Sequence, residues 1–248
     1  MKIKSLFLDK TKNETEVKTM KRFTGIMITM VAMFLIMVNV QNAHAFTMEL
    51  IDPNNPSDNL IIPFSSPLND STTPGIIVYA GSFGGFTFTV DTGSTMPALG
   101  SATDPMQHLT VDFTSTSAGK MIVGISDTGY GPVSSPAAFE TSVGGSINDG
   151  GYLQAQTYED TTLFGLTTQL ADIGPFSTGS FSQDASASVD PNNPFSLTTV
   201  VDLVATAGGE GGSIDVSLSP VPEPSTFVLL GLGLCGLPFL RKRIRSNS

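Results

Sequence analysis

Phe86-Thr87-Phe88-Thr89-Val90 and Leu109-Thr110-Val111-Asp112-Phe113-Thr114 alternate apolar with polar side chains, residue by residue. A period of two is the spacing of a strand that buries one face and wets the other. Ile214-Asp215-Val216-Ser217-Leu218 repeats the pattern, and residues 121–125 form a shorter, more continuous apolar run. Residues 151–157, 163–170, 181–189 and 197–205 are weaker strand candidates. Gly, Pro, Asn and Ser clusters break these runs at short intervals, and no window of residues 46–220 carries the 3.6-residue period of a helix. The spacing predicts an all-β chain: a single, jelly-roll-like β-sandwich over residues 46–220 rather than alternating βαβ units.

Charge sharpens this picture. Residues 46–220 hold eighteen carboxylates and one basic side chain, Lys120, a formal −17 where the whole chain stands at −10. Such a body repels nucleic acid and anionic membrane, so neither is an expected partner. It can form few salt bridges, and its stability must come from apolar burial and hydrogen bonds. The one cysteine, Cys235, lies outside this stretch, which excludes a disulfide, a thiolate metal site or a cysteine nucleophile within it. His108 is its sole imidazole and is expected at a solvated strand end. Two pentads, Asp52-Pro53-Asn54-Asn55-Pro56 and Asp190-Pro191-Asn192-Asn193-Pro194, are tight-turn chemistry. A duplicated β unit is the competing account of that repeat.

The missing positive charge sits at the two ends. Met20-Lys21-Arg22 precedes an almost wholly apolar stretch, residues 26–40, and Ala43-His44-Ala45 has the small-x-small form that signal peptidase accepts. This reads as a signal peptide over residues 1–45, cleaved after Ala45, with Met20 the expected true start. At the other end Val221-Pro222-Glu223-Pro224 leads into an apolar run, 227–240, and then Arg241-Lys242-Arg243-Ile244-Arg245. The prolines hold the motif extended and without backbone donors. The basic cluster, Arg241, Lys242, Arg243 and Arg245, is a cytoplasmic stop. The run is fourteen residues long, against about twenty for a relaxed membrane span. Gly231, Gly233, Gly236 and Pro238 weaken it further as a helix. A short, poorly anchored single-pass segment suits a label meant to be removed.

This three-part ending, residues 221–248, resembles the PEP-CTERM sorting signal of Gram-negative bacteria. The resemblance implies recognition by an exosortase in the inner membrane, and delivery of the body to the cell surface or beyond. It also implies association with exopolysaccharide and biofilm. Pro194-Phe195-Ser196-Leu197-Thr198-Thr199-Val200 and Ile125-Ser126-Asp127-Thr128-Gly129-Tyr130 resemble parts of many exported PEP-CTERM proteins, a wider likeness that carries no activity.

Three patterns invite a chemical reading. Asp91-Thr92-Gly93-Ser94 and Asp127-Thr128-Gly129 match the loops of aspartic proteases, whose two carboxylates share a proton. They stand 36 positions apart, too close for two lobes, and strand-end turns are the expected role of both. Glu159-Asp160 offers the carboxylates of a glycosidase, although eighteen acids on one sandwich produce neighbours by chance. Tryptophan, the usual sugar-stacking platform, is absent, leaving Tyr79, Tyr130, Tyr152 and Tyr158 as partial substitutes. Gly208-Gly209-Glu210-Gly211-Gly212-Ser213-Ile214-Asp215 weakly resembles a calcium-binding nonapeptide but occurs once, and a glycine-rich hairpin turn is the expected structure. The expectation is a non-enzymatic exported protein with no cofactor. A calcium- or glycan-binding adhesin is the alternative, and a secreted aspartic protease or glycosidase the remote one.

Overall fold

The computed structural model describes residues 45–133, 137–148, 150–191 and 194–221. The signal-peptide residues before Ala45, the sorting signal beyond Val221 (Pro222, Glu223, Pro224, Cys235 and the basic cluster) and Asn192-Asn193 of the second pentad lie outside them. In chain order the strands are β1 (Thr47–Ile51), β2 (Leu60–Pro63), β3 (Ile76–Phe83), β4 (Phe86–Ser94), β5 (Gly100–Ser101), β6 (Asp104–Pro105) and β7 (Gln107–Ser115). There follow β8 (Gly119–Tyr130), β9 (Ala137–Ile147), β10 (Gly151–Asp160), β11 (Thr168–Phe176), β12 (Gly179–Val189), β13 (Phe195–Ala205) and β14 (Gly211–Pro220). A 3-10 turn at Pro56–Asp58 stands between the first two.

Two six-stranded antiparallel sheets result, in the orders β11-β10-β13-β8-β1-β2 and β12-β9-β14-β7-β4-β3. From β7 to β14 every connection crosses between the sheets except β10 to β11. That wrapping is the jelly-roll form of the sandwich. Alternation decides the faces, as the sequence pattern predicts. β7, for example, buries Gln107, Leu109, Val111, Phe113 and Ser115 and turns the residues between them outward.

The core lies between the sheets in two clusters. The larger packs Met48, Leu50, Val123, Ile125, Leu153, Val201 and Leu203 of the first sheet against Phe86, Phe88, Leu109, Val143, Ile214 and Val216 of the second. The smaller gathers Met96, Tyr130, Phe139, Phe195, Leu197 and Leu218. Full burial of each large apolar side chain contributes about 1.5–3 kcal/mol. Electrostatics adds little, as the composition predicts: among the described residues two charged contacts occur, Lys120–Asp202 and His108–Asp215.

Several expectations are corrected. Residues 163–170 are not a strand but mostly the β10–β11 loop, because Asp160 organises a turn there. β3 and β9 lie outside the segments that the sequence pattern predicts as strands. Gly144 and Gly145 hide the alternation of β9, yet a methyl group at Gly145 would come 2.2 Å from the Ser213 carbonyl oxygen, so the close approach of β14 requires glycine. The glycine-rich stretch 208–212 makes no hairpin: residues 206–210 carry the chain from one sheet to the other and Gly211 opens β14, with the Glu210 carboxylate accepting from the Thr206 amide at 2.7 Å. The two pentads are not equivalent either. The first joins strands that pair within one sheet, while the second follows β12 and precedes β13 in the opposite sheet. The first is a tight turn, with the Asp52 carboxylate accepting from the Asn54 amide at 2.9 Å.

Candidate functional site

Strand register lays out the outer face of the first sheet as a grid. One row reads Ile61, Glu49, Gly124, Val200, Gln156 and Asp172 across β2, β1, β8, β13, β10 and β11. The row on one side carries Ile51, Ile122, Asp202 and Gln154, and the row on the other Thr47, Ser126, Thr198, Tyr158 and Gln169. On this face lies a groove of about 330 Å³, its floor formed by Ile122, Gly124, Val200, Asp202 and Gln156 and one side by Tyr158, Phe164 and Leu166.

The wall exists because of one aspartate. Asp160 ends β10, and its Oδ1 accepts from the amides of Thr161 at 2.6 Å and Thr162 at 3.0 Å. Its Oδ2 accepts from the Thr167 amide at 3.1 Å and from the Thr167 hydroxyl. The Thr167 hydroxyl first, with the Thr161 and Thr162 donors, holds the carboxyl well below the usual carboxylate range. Ser196 donates to the loop carbonyl of Thr162 at 2.6 Å, and the Phe164 amide donates to Ser126 Oγ at 2.9 Å. Phe164 adopts a φ of 54°, a left-handed conformation unusual for an aromatic residue. So fixed, its ring lies over Gly124, where a methyl group would come within 3.4 Å of it. Glycine in the middle of β8 is therefore the seat of the ring.

Polar groups line the rest. Lys120, the body's one basic residue, donates to Asp202 Oδ2 at 2.9 Å. Tyr158 donates to Gln156 Oε1 at 3.0 Å, and Gln154 Nε2 donates to Asp172 at 2.5 Å. Burial first, then the Asp172 and Asp202 carboxylates, push the Tyr158 phenol up. The arrangement offers an apolar platform beside amides, a phenol and carboxylates. Such a surface can stack against the less polar face of a sugar ring while bonding its hydroxyls.

The sequence-singled carboxylates do not converge. Asp91 and Asp127 both point inward, and neither triplet is a strand-end turn; each lies within a strand. Thr95 Oγ1 meets Asp127 Oδ2 at 3.1 Å, and Asp91 precedes Thr95 by four residues, which is about 13 Å along an extended strand. The two carboxylates therefore share no proton. Asp127 instead belongs to a buried set with Thr95 and Tyr130, and accepts from the Thr128 amide at 2.8 Å. Glu159 is buried between the sheets while Asp160 faces outward, as neighbours on a strand must. His108 lies near the start of β7 with its side chain partly exposed, as expected. Its Nε2 is 2.6 Å from Asp215.

Tyr158 is readable in the sequence as a platform residue, whereas Phe164 and Leu166 fall in the segment whose pattern predicts a strand. Their signal was present in Asp160-Thr161-Thr162, whose short polar side chains bond neighbouring amides, followed by Gly165.

Among known proteins, residues 220–244 match the family model of the PEP-CTERM protein-sorting motif. No curated protein matches the chain. Several solved structures are similar to it, three of them as follows. TmCBM61, in complex with β-1,4-galactotriose, aligns at 11% identity and TM-score 0.33 over 58% of this chain and 92% of its own. The CBM22-1 xylan-binding domain of Paenibacillus barcinonensis Xyn10C aligns at 15% identity and TM-score 0.30 over 63% and 92%. The Stig cyclase Fisc of Fischerella sp. TAU aligns at 15% identity and TM-score 0.34 over 64% and 93%. At these scores the likenesses bear on neither the ligand nor the mechanism of this chain.

Proposed function

Because the chain carries a PEP-CTERM protein-sorting motif, we propose that it is an exported, non-catalytic protein that holds a polysaccharide strand of the extracellular matrix in the outer-face groove. Signal peptidase and an exosortase act on it in transit through the inner membrane, and the acidic sandwich works at the surface or in the medium. The observation that carries the reading is the groove itself. Phe164 and Tyr158 stand beside it on a loop and strand tied down by hydrogen bonds, with Gln156 and Thr198 in reach. A binding platform that is already ordered spends little of its interaction energy on ordering. The divergence of Asp91 from Asp127, and of Glu159 from Asp160, supports a binding rather than a hydrolytic role.

The test is affinity electrophoresis of the full chain, purified in detergent, through gels containing the exopolysaccharide of its producing bacterium. Retardation is expected for the wild type. Phe164→Ala and Tyr158→Ala should each weaken it by roughly tenfold, the loss of one stacked ring. Absence of retardation, or variants that migrate like wild type, would remove the groove from the account.

A further inference from the structure

Resting on that reading of the groove, we infer that its ligand is an amine-bearing glycan: a hexosamine chain in which a share of the amino groups is free rather than acetylated. Glu49 and Asp202 line the groove, and Asp172 stands next to Gln156 in the same row, one strand further out. The one ammonium there, Lys120, is already bonded to Asp202 at 2.9 Å. Asn59 supplies one donor to Glu49 Oε1 at 3.3 Å, and the Gln154 and Gln156 amides reach a single oxygen of Asp172. Carboxylate lone pairs therefore remain for incoming donors, and among the described residues no uncommitted cation stands ready for an anionic sugar.

The long-range field acts in the same sense. A body with a formal −17 draws cationic chains toward it and repels uronate or sulfate polymers. Field alone would make the attraction diffuse. What localises it is the apolar wall: a ring seated against Phe164 and Leu166 brings its substituents over the row that holds Glu49, Gln156 and Asp172. An ammonium at that point forms charge-assisted bonds, roughly twice as strong as those of a neutral amide substituent.

Isothermal titration of the full chain with short β-1,4-linked oligomers separates the possibilities. The probes are tetraglucosamine, its fully N-acetylated form and a tetrauronate, at mildly acidic pH where the amines are protonated. Tetraglucosamine is expected to bind at least about tenfold more tightly than the acetylated form, and the uronate not at all. Asp202→Asn, which removes a carboxylate and frees Lys120, should cost about tenfold. Glu140→Gln, on the opposite sheet, should leave affinity unchanged. Equal or tighter binding of the acetylated tetramer overturns the amine preference while leaving the groove a glycan site. Equal weakening by Asp202→Asn and Glu140→Gln reduces the binding to diffuse charge and also overturns it. Binding of none of the three probes overturns this inference, whereas failure of the host exopolysaccharide to bind as well is what removes the groove reading itself.

Discussion

A carboxyl group enclosed by apolar side chains is less costly neutral than ionised, and Asp91 is enclosed in this way. Burial pushes its pKa up to about 8, and the hydrogen bond from the Asp112 amide opposes that only in part. Its Oδ2 meets no hydrogen-bond partner. An unfolded aspartate ionises near about 3.9. The folded pKa lies above the unfolded one, so the unfolded state gives up the proton first. Stability from this residue is complete below about pH 4 and is lost as the pH rises toward about 8. Asp91→Asn should therefore raise stability at pH 8 by on the order of 5 kcal/mol and change it little at pH 4. Denaturant titrations of both proteins across this range check the point. The other carboxylates repel one another alike in both, so parallel curves would mean that Asp91 ionises freely.

Among elements, the β10–β11 loop owes most to a single side chain. It is the one connection between β7 and β14 that stays within its sheet, which leaves it free to fold back over the outer face. Gly165 permits the tight return, since a methyl group there would lie 2.1 Å from the Asp160 carboxyl carbon. Asp160→Ala should unpin the wall of the groove while the sandwich core stays intact. Hydrogen exchange at residues 161–167 is expected to quicken at least about tenfold, with the thermal midpoint nearly unchanged because the loop buries little of the core. A large drop in the midpoint would instead make the loop part of the folding unit. The alternation of β4, β7 and β14 was legible because each buries one face only. β9 and the loop were not: glycine erases the periodic signal in one, and in the other a turn held by side chains looks in sequence like a polar strand.

At the scale of the molecule, β14 is both the last strand of the sandwich and a central one, paired with β7 on one side and β9 on the other. Val221, within the matched sorting motif, is still tied to the sheet, its amide donating to the Ala138 carbonyl at 2.8 Å. Processing upstream of Pro220 would strip a strand from the middle of the sheet. At the other end Phe46 is buried and Thr47 opens β1, so cleavage after Ala45 spares the core. Mass spectrometry of the exported protein should find a start at Phe46 and an end at or beyond Val221. A folded product that keeps residues 241–248 would rule out removal of the label. Between these ends the sheets are aligned by buried polar pairs, Gln107 with Thr199 at 2.9 Å and Thr141 with Thr157 at 2.8 Å, each bridging one sheet to the other. With so few charges of opposite sign, such pairs fix the stacking where ion pairs cannot.

The sequence by itself determined that the chain is built of strands, which side chains each strong strand buries, how acidic the body is, and that its C-terminal part carries a sorting motif. These are local or additive properties, since alternation, composition and contiguous motifs need no knowledge of what lies alongside. Only the tertiary structure decided which strands are neighbours. A period of two tells a residue which way to face but not which residue it faces. Lys120 and Asp202 stand 82 positions apart in the chain and 2.9 Å apart in the groove. The pairing of β10 with β13 brings Tyr158 alongside Thr198, and the loop after β10 seats Phe164 above Gly124. The groove is made of such distant meetings, and so it appears only once the sheets have formed.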